Sequence, residues 1–356
     1  MIHSKSMLIC KSAQTKIRAH RPLVHLPQPE SLECFYDAQM AALWISLRAN
    51  CAYCVTKALL REFNEVGYAI SRWPKGLIDF KILQSKLAGV FSLGGDLEHF
   101  INCICRKDKE ALLRYGNDAI EAIWHNLIVG SQNHATSIAI VEGEAQGGGF
   151  EAALSCHLLI AERGTHFGFP ESLFGLFPGM GAFHLLAARS DAGLARKLMS
   201  SANRYPAEML HEAGIVDVVA EKGRGAETAR DIIANATPEW LGSLRKRFAS
   251  LELDELKATV STWVDCALTL NEKALRSMNY LLSAQKARAT RMAMTNKVAE
   301  NFGSSAEKSG PRKSDSLVSE VSATMGYEPQ EQSYETTPPQ SFSGLQSEGG
   351  DRRHQG

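Results

Sequence analysis

Gln146-Gly147-Gly148-Gly149-Phe150-Glu151, with Pro170-Glu171 following it, is the stretch on which the reading of this chain turns. Three consecutive glycines let a backbone approach a ligand closely, because no Cβ stands in the way. Glu151 sets a carboxylate beside that bare backbone, and Glu171, behind a rigid proline, supplies another. N–H donors with paired carboxylates suit a site that stabilises an enolate and moves protons around it. Taken alone, the run is equally a tight strand-to-helix turn with a surface glutamate. A nucleotide reading fits poorly. A Walker loop needs Gly-Lys-Ser/Thr where this run continues Gly149-Phe150-Glu151. The G-x-G-x-x-G spacing of dinucleotide folds is absent, and a carboxylate at the turn repels phosphate.

A second glycine turn changes the balance. Leu93-Gly94-Gly95-Asp96 is another strand-to-helix transition with bare backbone. By itself it is an ordinary helix start, with Asp96 near the first turn, where acid is favoured. Together the two turns present convergent N–H groups, an oxyanion hole for a thioester carbonyl.

Around these turns, strands predicted at 41–47, 80–83, 137–141, 157–161 and 215–219 alternate with helical patterns, among them one long helix over 107–129. This alternation makes an α/β chain. Beyond residue 224 the pattern is helical throughout, and 254–293 carries more apolar surface than one exposed helix needs. Four segments result: a loosely ordered N-terminal segment (1–30), a core (31–223), a C-terminal helical region with acyl-pocket and oligomer contacts (224–302), and a tail (303–356). The tail is rich in Ser, Gln, Glu, Gly and Pro and is predicted disordered.

The bulk properties exclude several classes. With 356 residues and 44 % apolar content the chain can bury a large core. Its 39 basic and 39 acidic residues cancel, so no nucleic-acid footprint appears. No stretch approaches the roughly 20 apolar residues that span a bilayer. Met1–Lys16 lacks the apolar run of a signal peptide, so a soluble cytoplasmic protein is expected. The eight cysteines are scattered as reduced thiols, and Cys51-Ala-Tyr-Cys54 reads as an incidental pair at a loop-to-helix transition. Neither a metal-ligand cluster nor a G-x-S-x-G serine elbow is present. Glu142 and Glu144 read as surface acids, and His157, His166 and His184 as structural.

Phe91-Ser-Leu-Gly-Gly-Asp96-Leu97, Glu142-Gly-Glu-Ala-Gln-Gly-Gly-Gly-Phe-Glu151 and Phe169-Pro-Glu171 with Phe177-Pro-Gly-Met-Gly181 resemble, in order and spacing, the enoyl-CoA hydratase (crotonase) superfamily over about residues 35–290. Within it, the run from Gly147 to His157, Leu176 to Ala182, and Trp263-Val-Asp265 are most similar to the bacterial diffusible signal factor synthases. The resemblance implies a crotonase-like ββα spiral core. It implies Glu151 and Glu171 as catalytic carboxylates, and Gly95 and Gly148 as oxyanion donors. It places Gln146, Gly147, Met180 and Trp263 at the substrate, although Trp263 by itself reads either as core packing or as the lining of an acyl tunnel.

The implied reaction is dehydration of a 3-hydroxyacyl thioester on acyl carrier protein, then hydrolysis to a free cis-2-unsaturated fatty acid used in quorum sensing. No metal and no cofactor beyond the thioester carrier are expected. A sensor-kinase receiver domain and a homo-oligomer, trimer or hexamer, are the implied partners. The alternative is an ordinary enoyl-CoA hydratase acting on CoA thioesters in fatty-acid oxidation. An alternative of another class is a catalytically silent regulatory partner of a sensor kinase. Many members of the family it resembles, the signal-factor synthases in particular, carry an apolar residue where this chain has Gln146.

Overall fold

The computed structural model describes residues 27–306. The chain divides into two compact units, residues 1–297 and 298–356, and all ten described strands belong to the first.

Strands β1 (Leu32–Asp37) and β2 (Ala42–Leu47) form a hairpin, and helix α1 (Lys57–Ser71) returns the chain to β3 (Phe80–Ser85). Then come β4 (Val90–Ser92), α2 (Leu97–Arg106), α3 (Lys109–Leu127) and α4 (Val129–Asn133). Next are β5 (Thr136–Val141), β6 (Glu144–Gln146), α5 (Gly148–Leu154), β7 (Leu158–Glu162) and β8 (His166–Gly168). After a 3-10 turn at Pro170–Phe174 lie α6 (Ala182–Arg189), α7 (Ala192–Ser200), β9 (Arg204–Pro206), α8 (Ala207–Glu212) and β10 (Val218–Ala220). The chain continues through α9 (Gly225–Asn235), α10 (Pro238–Lys246), α11 (Leu253–Leu268) and α12 (Glu272–Ala306).

The strands form two sheets, one ordered β1-β2-β3-β5-β7-β10 and the other β4-β6-β8-β9. The first is parallel except for the β1–β2 hairpin. Every residue of β2, β5 and β7 is buried, as expected where both faces of a parallel sheet are covered. The second sheet is absent from the sequence reading. Its strands are three residues each, too short for alternation to register.

Two helix boundaries depart from expectation. The helix predicted over 107–129 begins two residues later, because Lys107 takes a left-handed φ of 53° as the C-cap of α2. The Asp108 carboxylate then accepts from Ala111 N at 2.9 Å and starts α3. Helix α12 runs to Ala306, past the boundary at 303 where the tail composition begins. The expectations for residues 1–26 and 307–356 lie outside the described residues.

One buried ion cluster locks β7 to the segments that succeed it. Arg189, its side chain 0 % exposed, donates to Leu154 O at 3.1 Å, Ile215 O at 3.0 Å and Asp217 Oδ2 at 2.8 Å. Asp217 also accepts from Leu159 N and Arg247. Burial alone would raise the Asp217 pKa, but the Arg189 and Arg247 guanidinium groups outweigh it and hold it below the usual range. Asp217→Ala strands a buried guanidinium, and a loss of about 3–5 kcal/mol in unfolding free energy is expected from urea titration. The wild-type advantage is full above the unfolded carboxyl pKa. It disappears as pH falls through the lowered folded one.

Candidate active site

The three sequence motifs meet because the strands that precede them are neighbours. β4, β6 and β8 lie side by side and parallel, with Ser92 opposite Ala145 and Gln146 opposite Gly168. Their C-terminal ends therefore align, and each delivers its loop to the same edge, where open parallel sheets place their ligands. β4 delivers Leu93–Gly95, β6 delivers the glycine run, and β8 delivers Glu171. A single cavity is lined by Gly95, Gly147, Gly148, Glu151, Glu171 and Met180, with Trp263 of α11 among its walls.

Each glycine of the triplet lies against a different partner. A Cβ on Gly147 would stand 2.4 Å from Glu171 Oε1, one on Gly148 2.9 Å from Met180 Sδ, and one on Gly149 2.6 Å from Ser92 Cβ. The loops from β4 and β6 abut backbone to backbone. A Cβ on Gly94 would lie 2.8 Å from Gln146 O and 3.3 Å from Gly148 N. Gly148 opens helix α5, so its N–H has no intrahelical acceptor. Neither it nor Gly95 N–H meets an acceptor among the described residues. Phe150, fully buried, packs on Phe167 at 4.8 Å and Phe169 at 4.9 Å and pins α5 to β8 and the segment after it.

Glu151 sits one turn into α5 and is 1 % exposed. Its Oε1 accepts from Met180 N at 2.7 Å and Ala182 N at 3.0 Å, which ties the Phe177–Gly181 turn to the carboxylate. Burial, then the Glu171 charge, pushes the Glu151 pKa up to about 8, against the pull of those two N–H groups. Burial likewise lifts Glu171 to about 7, and its Oε2 is buried without a hydrogen-bond partner among the described residues. Two carboxyls raised into the neutral range in one cavity cannot both ionise readily. The pair is set to carry one proton between them.

The remaining expectations divide. Trp263 is buried, lines the cavity and packs its indole against Gly179. Gln146 does not line the cavity. Its Nε2 donates to Glu144 Oε1, because residues alternate across β6 and Gly147 carries the turn into the site. Glu144 is not a surface acid. It is 5 % exposed and held by Arg204 at 3.1 Å and by Arg288. His157 is buried, with Nδ1 against the Ser137 hydroxyl at 2.7 Å. Burial pushes the Cys51 and Cys54 thiols up to about 11, which makes them poor nucleophiles. Among the described residues no group of three or more His, Cys, Asp or Glu is placed to hold a metal, and no helix is long and apolar enough to cross a membrane.

Sequence reasoning missed the groups contributed from a distance. Gln285 of α12 lines the cavity and donates to Leu93 O at 3.1 Å, while Lys286 pairs with Glu98 at 2.7 Å. Tyr115 of α3 lies at the cavity wall. No local pattern marks these residues, since each reaches the site through packing of a separate helix.

The sequence profile of the family Enoyl-CoA hydratase/isomerase matches residues 78–289, and the chain belongs to that family. Among its relatives, a short-chain-enoyl-CoA hydratase of Clostridium acetobutylicum is 37 % identical over 95 residues, 27 % of this chain and 36 % of the relative. The 2,3-dehydroadipyl-CoA hydratase of Escherichia coli is 29 % identical over 201 residues, 56 % of this chain and 71 % of that protein. The chain thus spans only about a third of the length of the first relative. Among solved structures, Bacillus halodurans enoyl-CoA hydratase superposes with a TM-score of 0.59 at 18 % identity, covering 70 % of this chain and 99 % of that one. Pseudomonas aeruginosa DspI gives 0.55 at 21 % identity, covering 65 % and 93 %. The α/β spiral core with its C-terminal helices is the fold these neighbours share.

Proposed function

We propose that the chain is a hydratase that interconverts 2-enoyl and 3-hydroxyacyl thioesters of coenzyme A, with Glu151 and Glu171 as its acid–base pair. The observation that carries this reading is the pair itself, buried beside the facing Gly95 and Gly148 backbones and raised toward neutral pH. In hydration the ionised member takes a proton from water as the water oxygen bonds to Cβ. The protonated member delivers its proton to Cα, and the reverse sequence dehydrates. Charge that develops on the thioester oxygen meets the Gly95 and Gly148 N–H groups, whose backbones need not reorient. The chemistry asks for no cofactor beyond the carrier of the thioester. Hydratases among the relatives support this reading.

The motif likeness to signal-factor synthases supports a second reading on the same site. There the substrate is a 3-hydroxyacyl-carrier protein, and the carboxylates then activate water against the thioester carbonyl. Purified protein given enoyl-CoA and, separately, 3-hydroxyacyl-carrier proteins of graded length distinguishes the two. Loss of the enoyl thioester absorbance with no free acid by mass spectrometry is the expected result. Free 2-enoic acid from the carrier protein would replace it with the synthase reading, and no turnover of either would sink both. A variant with Glu151 and Glu171 both replaced by alanine tests the silent-partner alternative: turnover should vanish while any binding to a receiver domain persists. A trimer or hexamer remains part of the proposal, to be read by light scattering.

A further inference from the structure

We infer that Tyr115, on α3, is a positioning residue that aims the Gly95 N–H at the substrate oxygen, an inference that rests on the hydratase reading above. In a trans peptide the C=O and N–H point in opposite directions. The Gly94 carbonyl accepts from Val55 N at 2.8 Å, so the Gly95 N–H of the same peptide is turned away from Val55. The aim of that N–H is therefore only as good as the placement of Val55.

Val55 belongs to no named strand. It meets the glycine turn through an isolated parallel bridge to Gly95. The Tyr115 hydroxyl closes that bridge from behind. It donates to Val55 O and accepts from Asp96 N at 3.2 Å, so one oxygen joins the two sides of the bridge. The ring is 4 % exposed, edge-on to Phe100 at 4.9 Å and beside His99 at 5.5 Å. Phe100 in turn lies under Gly95, where a Cβ would stand 2.7 Å from Cε2. The hydroxyl is thus held in place, and it holds the turn in place. Hydrogen bonds of this kind count most where the donor they orient must be ready before charge develops.

Because the ring also lines the cavity, a purely structural role predicts a change in substrate binding, whereas a positioning role predicts a change in carbonyl polarisation. Tyr115→Phe keeps the ring and removes only the hydroxyl. The readouts are steady-state hydration of a 2-enoyl-CoA and the absorption of bound 4-dimethylaminocinnamoyl-CoA, which moves to the red as its carbonyl is polarised. The expected result is a fall in kcat of about 10-fold or more, with KM within about threefold. The red shift should be smaller, and the pH profile unchanged because the carboxylate pair is untouched. Placing 4-aminophenylalanine at position 115 restores a donor to Val55 O and should recover part of both signals, which also serves if the phenylalanine variant does not fold. A red shift and kcat equal to wild type, or a change in KM alone, overturns the inference. Wild-type protein that shifts the probe without hydrating enoyl-CoA refutes the hydratase reading alone. If it does neither, both fall.

Discussion

Glu151→Gln is expected to lower kcat for enoyl-CoA hydration by about 10²–10⁴-fold while leaving the protein at least as stable as wild type. The two properties separate for a physical reason. A glutamine oxygen still accepts from Met180 N and Ala182 N, so the contacts at 2.7 and 3.0 Å survive. What disappears is the ability to exchange a proton. The same substitution removes a strained titration. A carboxyl whose folded pKa is raised to about 8, from an ordinary 4.5, binds its proton more tightly in the folded state. The folded state is therefore favoured below the unfolded pKa, and that advantage is lost as pH climbs through the folded one. Thermal melts of wild type should fall between about pH 5 and pH 8, and those of the variant should be flatter over that window and higher than wild type at its alkaline end. Equal pH slopes for the two proteins would contradict the shifted carboxyl. Unchanged kcat would remove Glu151 from the chemistry.

Gly94→Ala is the second large effect, and it acts on backbone alone. Gly94 has φ of +91°, where a side chain is strained, and its Cβ would meet Gln146 O at 2.8 Å and Gly148 N at 3.3 Å. Both obstacles are main chain, so no rotamer change relieves them. The loops after β4 and β6 must separate, and with them the Gly95 and Gly148 donors. Since losing one such donor costs about 10²–10³-fold in kcat, a drop of at least that order is expected, with a stability loss of about 1–3 kcal/mol. Urea denaturation measures the second and initial rates the first. A variant that lost stability but kept wild-type kcat would show that the paired backbones do not carry the oxyanion.

The contrast between these two sites and the rest of the cavity explains what was legible in the chain. Gly147–Gly149 and Glu151 lie within a few residues of each other, so composition and order alone mark them. Buried strands such as Thr136–Val141 were equally readable from a continuous apolar run. The exact start of α3 was not, because a left-handed Lys107 followed by the Asp108 cap leaves no mark in the apolar spacing. Glu144 departs from the surface position expected of it for a related reason. An acid near a glycine turn reads as solvated until Arg204 and Arg288, from β9 and α12, arrive to pair with it.

By itself, the sequence determined the α/β class and the bare backbone at two turns, and it singled out Glu151 and Glu171, because each of these shows in short stretches of the chain. Only the tertiary structure decided that the turns face one another. That depends on β4, β6 and β8 being parallel neighbours, and strands of three residues carry no periodic signal of their own. The raised pKa values, the turning of Gln146 away from the cavity and the bracing of Gly95 by Tyr115 belong to the same category. Burial, charge proximity and hydrogen-bond direction arise only once segments distant in sequence have packed together.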